Sequence, residues 1–285
     1  MRRKLIFVIA LLLFVGALGI IAYPVIANYV NNQYLSVVQS EYENAVKGLD
    51  SGVYDAAREA AQAYNEGLNP IRYDKDAVEA ASATYFELLD LTGSGLMGYV
   101  EIPKLELLLP IYHGTEEEIL QKGIGHLIGS SLPIGGAGSH SVLTGHSGVA
   151  GMRLFSDLEQ LSPGDVFFLR VLGEALAYQV EEINTVLPYE TDLLLAVPNQ
   201  DLCTLVTCTP FGVNTHRLLV RGSRIPYEKA EAVAEVVEKA APVKSTWEEN
   251  YRKGLVIGGG LALGVILLGL LVAFLRNKRR KRHEA

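Results

Sequence analysis

The stretch TLVTCTPFGVNTHRLLVRG, residues 204–222, brings together several side chains that can take part in catalysis. Cys208 is one of only two cysteines in the chain, and His216 and Arg217 follow it within nine residues. A cysteine thiolate is a competent nucleophile, and a nearby cation favours the thiolate over the thiol. A free cysteine is also a common small filler inside strands. The residue types therefore leave two roles open for Cys208: a catalytic nucleophile or a small buried side chain in a strand.

The elements around Cys208 determine which side chain becomes its neighbour. In an alternating strand, Cys208 and Val206 point to the same face. Residues 209–215 contain Pro, Gly and Asn, so they predict a turn, and the next strand should return beside the first. This hairpin places either His216 or Arg217 next to the thiol. A shift of one residue in register decides between them.

The two cysteines are not expected to form a disulfide. Cys203 and Cys208 lie five positions apart in one predicted strand, on opposite faces and roughly 16 Å apart at the usual rise per residue. A disulfide requires Cα atoms within about 7 Å. Cys208 is therefore predicted to be a free thiol.

Four further histidines lie outside the C-terminal tail and this hairpin: His113, His126, His140 and His146. His113, His126 and His146 each lie next to glycines, and LTGHSG places His146 at the end of an apolar strand, where functional residues often gather. The residues alone do not choose among the four. No HxxxH or CxxC spacing is present, so neither a metal site nor a cofactor is expected.

Two apolar runs point to the membrane. Residues 5–22 and 254–275 contain 18 and 22 uncharged residues, each long enough to cross a bilayer. Basic residues flank the outer end of each run, which predicts two cytoplasmic termini and an extracellular domain between them. A cleaved signal peptide is the alternative for residues 1–26, and it exports the domain equally well.

The charge distribution excludes one class of partner. The formal net charge is −7 although both termini are basic, so the part between the apolar runs is strongly acidic. Nucleic-acid binding needs a basic face, and none is expected here. The basic tail beside residues 254–275 is typical of a stop-transfer segment.

Composition changes along the chain predict its organisation. Residues 27–95 read as helices interrupted at NPIRYD, a helical linker is expected at 227–253, and a basic cytoplasmic tail at 276–285. Residues 96–226 are rich in short β-type runs and predict a mainly β fold, a closed or nearly closed barrel. A hairpin turn is predicted at Gly173-Glu174. The seven predicted strands are 97–103, 107–114, 140–146, 165–173, 174–188, 202–209 and 216–226.

Several of these motifs together resemble one family. TLVTC followed by Arg nine residues after the Cys resembles the TLxTC…R signature of sortases, and TGH at 144–146 resembles their histidine element. The stretches MGYVEIPKLELLLPIYHGT, GIGHLIGSSLPIGG and HSVLTGHSG are similar to the class C, pilin-polymerising branch. The similarity extends over about residues 97–225, and the apolar run at each end is also typical of that branch.

The resemblance implies a fold and a reaction. The family fold is a closed eight-stranded β-barrel. Carried over by motif, Cys208 is the nucleophile, His146 its acid/base partner and Arg217 the cation beside the oxyanion. The implied reaction is transpeptidation: an LPxTG-type sorting signal is cleaved between Thr and Gly, and the acyl group passes to a Lys amine of a pilin subunit.

Two departures from the class C pattern leave alternatives open. The lid motif Asp-Pro-aromatic is absent, since Asn69, Pro70 and Ile71 stand in the corresponding region, and Ser147 follows the histidine where the branch commonly has Arg. A sortase that anchors surface proteins to the cell wall is therefore the first alternative. A non-catalytic pilus scaffold protein is the second.

Overall fold

The computed structural model describes residues 2–68, 84–148, 152–238 and 251–260, with a few single positions between 245 and 269. Two compact units are present. One is formed by Met1–Ile21 with Lys244–Ala285, and the other is Ala22–Val243. The possible lid around residues 69–75 and most of the predicted second membrane span lie outside the described residues.

The helices are α1 (Arg2–Lys47), α2 (Ser51–Gly67), α3 (Glu117–Leu120) and α4 (Tyr227–Glu238). Helix α1 runs without a break through the boundary predicted at residue 26. Within it, Phe14–Lys47 is long and apolar enough to cross a membrane, which suits either an anchor or a signal segment. It is the one such helix in the described part of the chain.

Eight strands close into a barrel, which confirms the predicted mainly β barrel. They are β1 (Leu96–Ile102), β2 (Leu107–His113), β3 (Ile124–His126), β4 (Ser139–Thr144), β5 (Val166–Val171), β6 (Glu174–Val186), β7 (Asp201–Thr209) and β8 (His216–Arg224). The order around the barrel is β1-β2-β3-β4-β7-β8-β6-β5, and β5 pairs with β1 to complete it. Sequence patterning missed β3 because three residues are too short to show a period of two.

The β5–β6 hairpin differs from its prediction by one residue. Its two-residue turn is Leu172-Gly173, and both positions have positive φ, 51° and 78°. A type I′ turn requires this conformation at both positions, because its twist matches that of the flanking strands. Glu174 therefore starts β6, paired with Val171, instead of occupying the turn.

The alternation of β7 separates two apolar clusters. Cys203 and Leu205 are fully buried in the main core inside the barrel, where Phe167 also stacks on Tyr178. A second cluster, here called the outer patch, packs against the other face of β4, β7 and β8: Val142, Leu194, Val206 and Leu219. Both cysteines are free thiols, as the spacing predicted.

One fully buried histidine ties the segment before β1 to the barrel. The Nε2–H of His126 donates to the Ser131 carbonyl oxygen at 2.9 Å. Its other ring nitrogen therefore accepts from the Tyr85 hydroxyl, also at 2.9 Å. Because burial penalises the charged ring, the pKa of His126 is lowered to about 4.

Acid is expected to destabilise the protein through this histidine. The unfolded chain takes up a proton near pH 6.5, whereas folded His126 resists protonation until about pH 4, so stability is complete above pH 6.5 and falls as the pH drops through that window. The expected loss from His126 between pH 7.5 and 5 is about 2 kcal/mol.

Urea unfolding of the protein in detergent at the two pH values measures this loss. The His126→Gln variant should be less stable at neutral pH and less sensitive to acid. A His216→Gln variant, altered at a more exposed ring, is the control and should keep the pH dependence of the wild type. Equal pH dependence in His126→Gln and the wild type would contradict the assignment.

Candidate active site

Cys208 lies at the penultimate position of β7, half-buried and on the outer face of the barrel. Val206, two residues earlier on the same face, belongs to the outer patch. The thiol is therefore not part of the main core, in contrast to Cys203. Cys208 lies at a strand end next to the outer patch. A substrate can reach the thiol there, and the strand fixes its backbone.

The register of β7 and β8 identifies the neighbour of the thiol. Cys208 pairs with Arg217, and Thr209 pairs with His216. Of the two possibilities that the sequence left open, Arg217 thus shares the face of Cys208. The alternation of β8 directs His216 to the opposite face.

The guanidinium of Arg217 is fixed at the start of β8 by nearby backbone. Its Nη1 donates to the carbonyl oxygens of His216 at 3.1 Å and Asn214 at 3.4 Å. Asn214 has a φ of 62° in the turn, a conformation that asparagine tolerates better than most residues. The turn predicted at residues 209–215 therefore also orients the cation.

His146 follows β4, which runs parallel to β7. In their register Thr144 pairs with Val206. The pairing continues past the end of β4, because the Gly145 N–H donates to the Val206 carbonyl oxygen at 3.0 Å and the Thr207 hydroxyl donates to the Gly145 carbonyl oxygen at 2.7 Å. Extended by two residues, the same register would bring the backbone of His146 level with Cys208.

A glycine is required before this histidine. A Cβ at Gly145 would lie 2.5 Å from the Ile124 side chain and 2.8 Å from that of Phe155, closer than packed atoms approach. The TGH element is therefore a strand end that passes directly over the barrel core. His146 follows the end of β4, and Cys208 and Arg217 lie on the neighbouring strands β7 and β8, so all three residues are at the same end of the sheet.

The other candidate histidines are buried, and their ring nitrogens are hydrogen-bonded within the fold. His140 lies between the Thr204 hydroxyl at 2.7 Å and the Leu195 carbonyl oxygen at 2.9 Å, and burial lowers its pKa. His113 is buried between two backbone carbonyl oxygens, and His126 is enclosed as described above. Each of these rings has both nitrogens engaged by the fold.

Sequence reasoning missed one charged group near His146. The carboxylate of Glu117, on α3, has Oε1 3.4 Å from the His146 Nε2. The acidic run at 116–118 is visible in the sequence, but Glu117 lies 29 positions before the histidine, and only the fold brings them together.

The comparisons with known proteins agree with this geometry. Residues 100–225 match the sortase domain family. Sortase C1 of Streptococcus agalactiae is 43% identical, with a TM-score of 0.62, and the match covers 66% of this chain and 98% of that one. The chain belongs to the sortase family. The resemblance inferred from TLVTC, TGH and the flanking stretches is thereby confirmed.

Other sortases extend the comparison. The pilus-related sortase C of Group B Streptococcus is 42% identical with a TM-score of 0.59, over 67% of this chain and 98% of that one. Sortase D of Bacillus subtilis is 29% identical over 131 residues, which cover 45% of this chain and 63% of that protein. The chain thus spans less than two thirds of this curated relative. Its structural neighbours are class C sortases, and sortases are cysteine transpeptidases.

Proposed function

We propose that this sortase is a membrane-anchored transpeptidase that joins pilin subunits. Cys208 is the nucleophile, His146 the acid/base group and Arg217 the cation that stabilises the oxyanion. The substrate is an LPxTG-type sorting signal, cleaved between Thr and Gly, and the acceptor is a Lys amine of the next subunit. No cofactor or metal takes part in this scheme.

In the first half of the reaction, the Cys208 thiolate attacks the carbonyl carbon of the Thr. Negative charge develops on the carbonyl oxygen, where a fixed guanidinium stabilises it without titrating. As the C–N bond breaks, His146 donates its proton to the Gly amine, which leaves with the C-terminal fragment. The product is a thioester between Cys208 and the Thr.

The second half reverses these roles. The Lys amine of the acceptor attacks the thioester carbonyl carbon, and His146 takes the proton that the amine loses. The C–S bond breaks, the thiolate of Cys208 is regenerated, and an isopeptide bond remains between the two proteins. Enzyme groups and protons return to their starting state.

The observation that carries this proposal is the strand register: Cys208 pairs with Arg217, and Thr144, two residues before His146, pairs with Val206, two residues before Cys208. Cys208, His146 and Arg217 each supply a different requirement of acyl transfer: a nucleophile, a proton carrier and a permanent cation. A scaffold protein has no use for this combination at one strand end. The name of the Group B Streptococcus neighbour, which is pilus-related, favours pilins as the substrates.

Membrane placement is part of the same proposal. The apolar part of α1 anchors the protein, both termini lie in the cytoplasm, and the barrel is extracellular. The catalytic domain comprises residues 96–226, with 254–275 as the second span. Confinement of enzyme and anchored substrates to one surface raises their encounter rate.

Incubation of the full-length protein in detergent with a pilin subunit carrying an LPxTG-type signal tests the function. We expect a ladder of covalent, SDS-resistant products, and mass spectrometry should find a Thr–Lys isopeptide bond in each. Transfer only to a peptidoglycan-type amine, with no ladder, would replace pilin polymerisation by cell-wall anchoring. Absence of any cleavage would contradict the transpeptidase itself.

A further inference from the structure

The Nε2 atom of His146 is in an unusual environment. The side chain is 24% exposed, yet this nitrogen is buried and has no hydrogen-bond partner within the described residues. A buried polar atom without a partner is uncommon and calls for a physical reason. The Oε1 atom of Glu117 lies 3.4 Å away, which is ion-pair distance.

Glu117 is held in this position by its own helix. Gln121, the residue that caps the C-terminal end of α3, donates a hydrogen bond of 3.0 Å from Nε2 to Oε1 of Glu117, the same oxygen that faces the ring. This hydrogen bond and the nearby His146 both lower the pKa of the Glu117 carboxyl. The carboxylate is thus ionised and oriented at the pH where the enzyme works.

The other charged groups around the site are already engaged. The carboxylate of Asp157 pairs with Arg153 at 3.0 Å, and that of Glu159 accepts from the Thr209 hydroxyl at 2.6 Å. Cys208 and Arg217 pair with each other on β7 and β8. Within the described residues, Glu117 is the carboxylate at ion-pair distance from the His146 ring.

We infer that Glu117 is a positioning residue for His146. Its carboxylate faces Nε2, which leaves Nδ1 for proton transfer, and its charge stabilises the imidazolium that forms whenever His146 carries the proton. This inference rests on the proposed function, because it assigns Glu117 to the acid/base step of the same reaction. It adds a fourth side chain, from helix α3, to the three that the motifs supply.

Glu117→Gln tests the role, since it removes the charge and keeps the shape. We expect kcat/KM for an LPxTG-type peptide to fall about two- to fivefold, the range of an exposed ion pair, with the change in kcat and not in KM. The pH dependence of kcat/KM should also differ from that of the wild type, because the charge beside the ring is lost. Glu117→Asp, which keeps the charge, should recover part of the loss.

Salt provides a second readout that a structural defect would not reproduce. At about 1 M NaCl the screening length falls to roughly 3 Å, so wild-type activity should approach that of Glu117→Gln. Glu118→Gln, at the exposed neighbouring position, is the matched control and should behave as the wild type. Unchanged kinetics and pH profile in Glu117→Gln, or an equal loss in Glu118→Gln, would overturn the inference.

These outcomes are separable from failure of the proposed function. A wild-type protein that cleaves no more peptide than Cys208→Ala contradicts the transpeptidase reaction. A wild-type protein that cleaves well, together with an unaffected Glu117→Gln, contradicts only the role of Glu117.

Discussion

Replacement of Cys208 by alanine is expected to abolish both cleavage of the sorting signal and transfer of the acyl group. The thiolate forms the only covalent bond to the substrate in the proposed scheme, so its loss removes the intermediate itself. Loss of a nucleophile commonly lowers turnover by several orders of magnitude, and we expect a decrease of at least about 1,000-fold. Chromatography of a quenched LPxTG-type peptide digest measures the rate, and mass spectrometry of the wild type detects the thioester.

The second cysteine offers a matched control. Cys203 lies on the same strand, fully buried on the opposite face among the core residues, so Cys203→Ala should retain the catalytic rate. A small loss of stability is expected because a buried atom is removed. Cleavage that persists in Cys208→Ala, or that disappears equally in Cys203→Ala, would contradict the assignment of the nucleophile.

Arg217→Lys is expected to lower kcat/KM by about 100-fold although the positive charge is kept. The planar guanidinium presents several donors at fixed angles, while an ammonium on a flexible chain does not reproduce them. The contacts of Nη1 with the carbonyl oxygens of His216 and Asn214 also orient this group, and lysine has no equivalent geometry. Steady-state kinetics with the same peptide measure the loss.

Arg221 supplies the corresponding control on the same face of β8. It pairs with Glu181 at 3.1 Å and also with Glu182, on the neighbouring strand, away from Cys208. Arg221→Lys should therefore keep activity within about twofold, since exposed ion pairs contribute little. Near-wild-type kinetics in Arg217→Lys would argue against a role for Arg217 at the oxyanion.

The sequence allowed much of the fold to be predicted because its signals are local. Alternating apolar residues predicted seven of the eight strands, and three-to-four spacing predicted the helices at 34–49 and 53–68. The glycine at 173 predicted the turn of the β5–β6 hairpin, and the observed turn differs from the predicted one by one residue. Strand β3 escaped prediction because three residues carry too little periodicity, and its pairing depends on β2 and β4.

The candidate site likewise has features that the sequence predicts and features that depend on the tertiary structure. The chemical types of Cys208, His146 and Arg217, and the family motifs around them, were legible in the sequence by itself. The choice of Arg217 over His216 as neighbour of the thiol depended on a register of one residue, which long-range strand pairing determines. The parallel pairing of β4 with β7 carries the chain before His146 to the same end of the sheet as Cys208, 62 positions away, and α3 places Glu117 at the His146 ring. Local residue patterns specify each element, whereas these contacts exist only once the barrel has closed and set the register between distant strands.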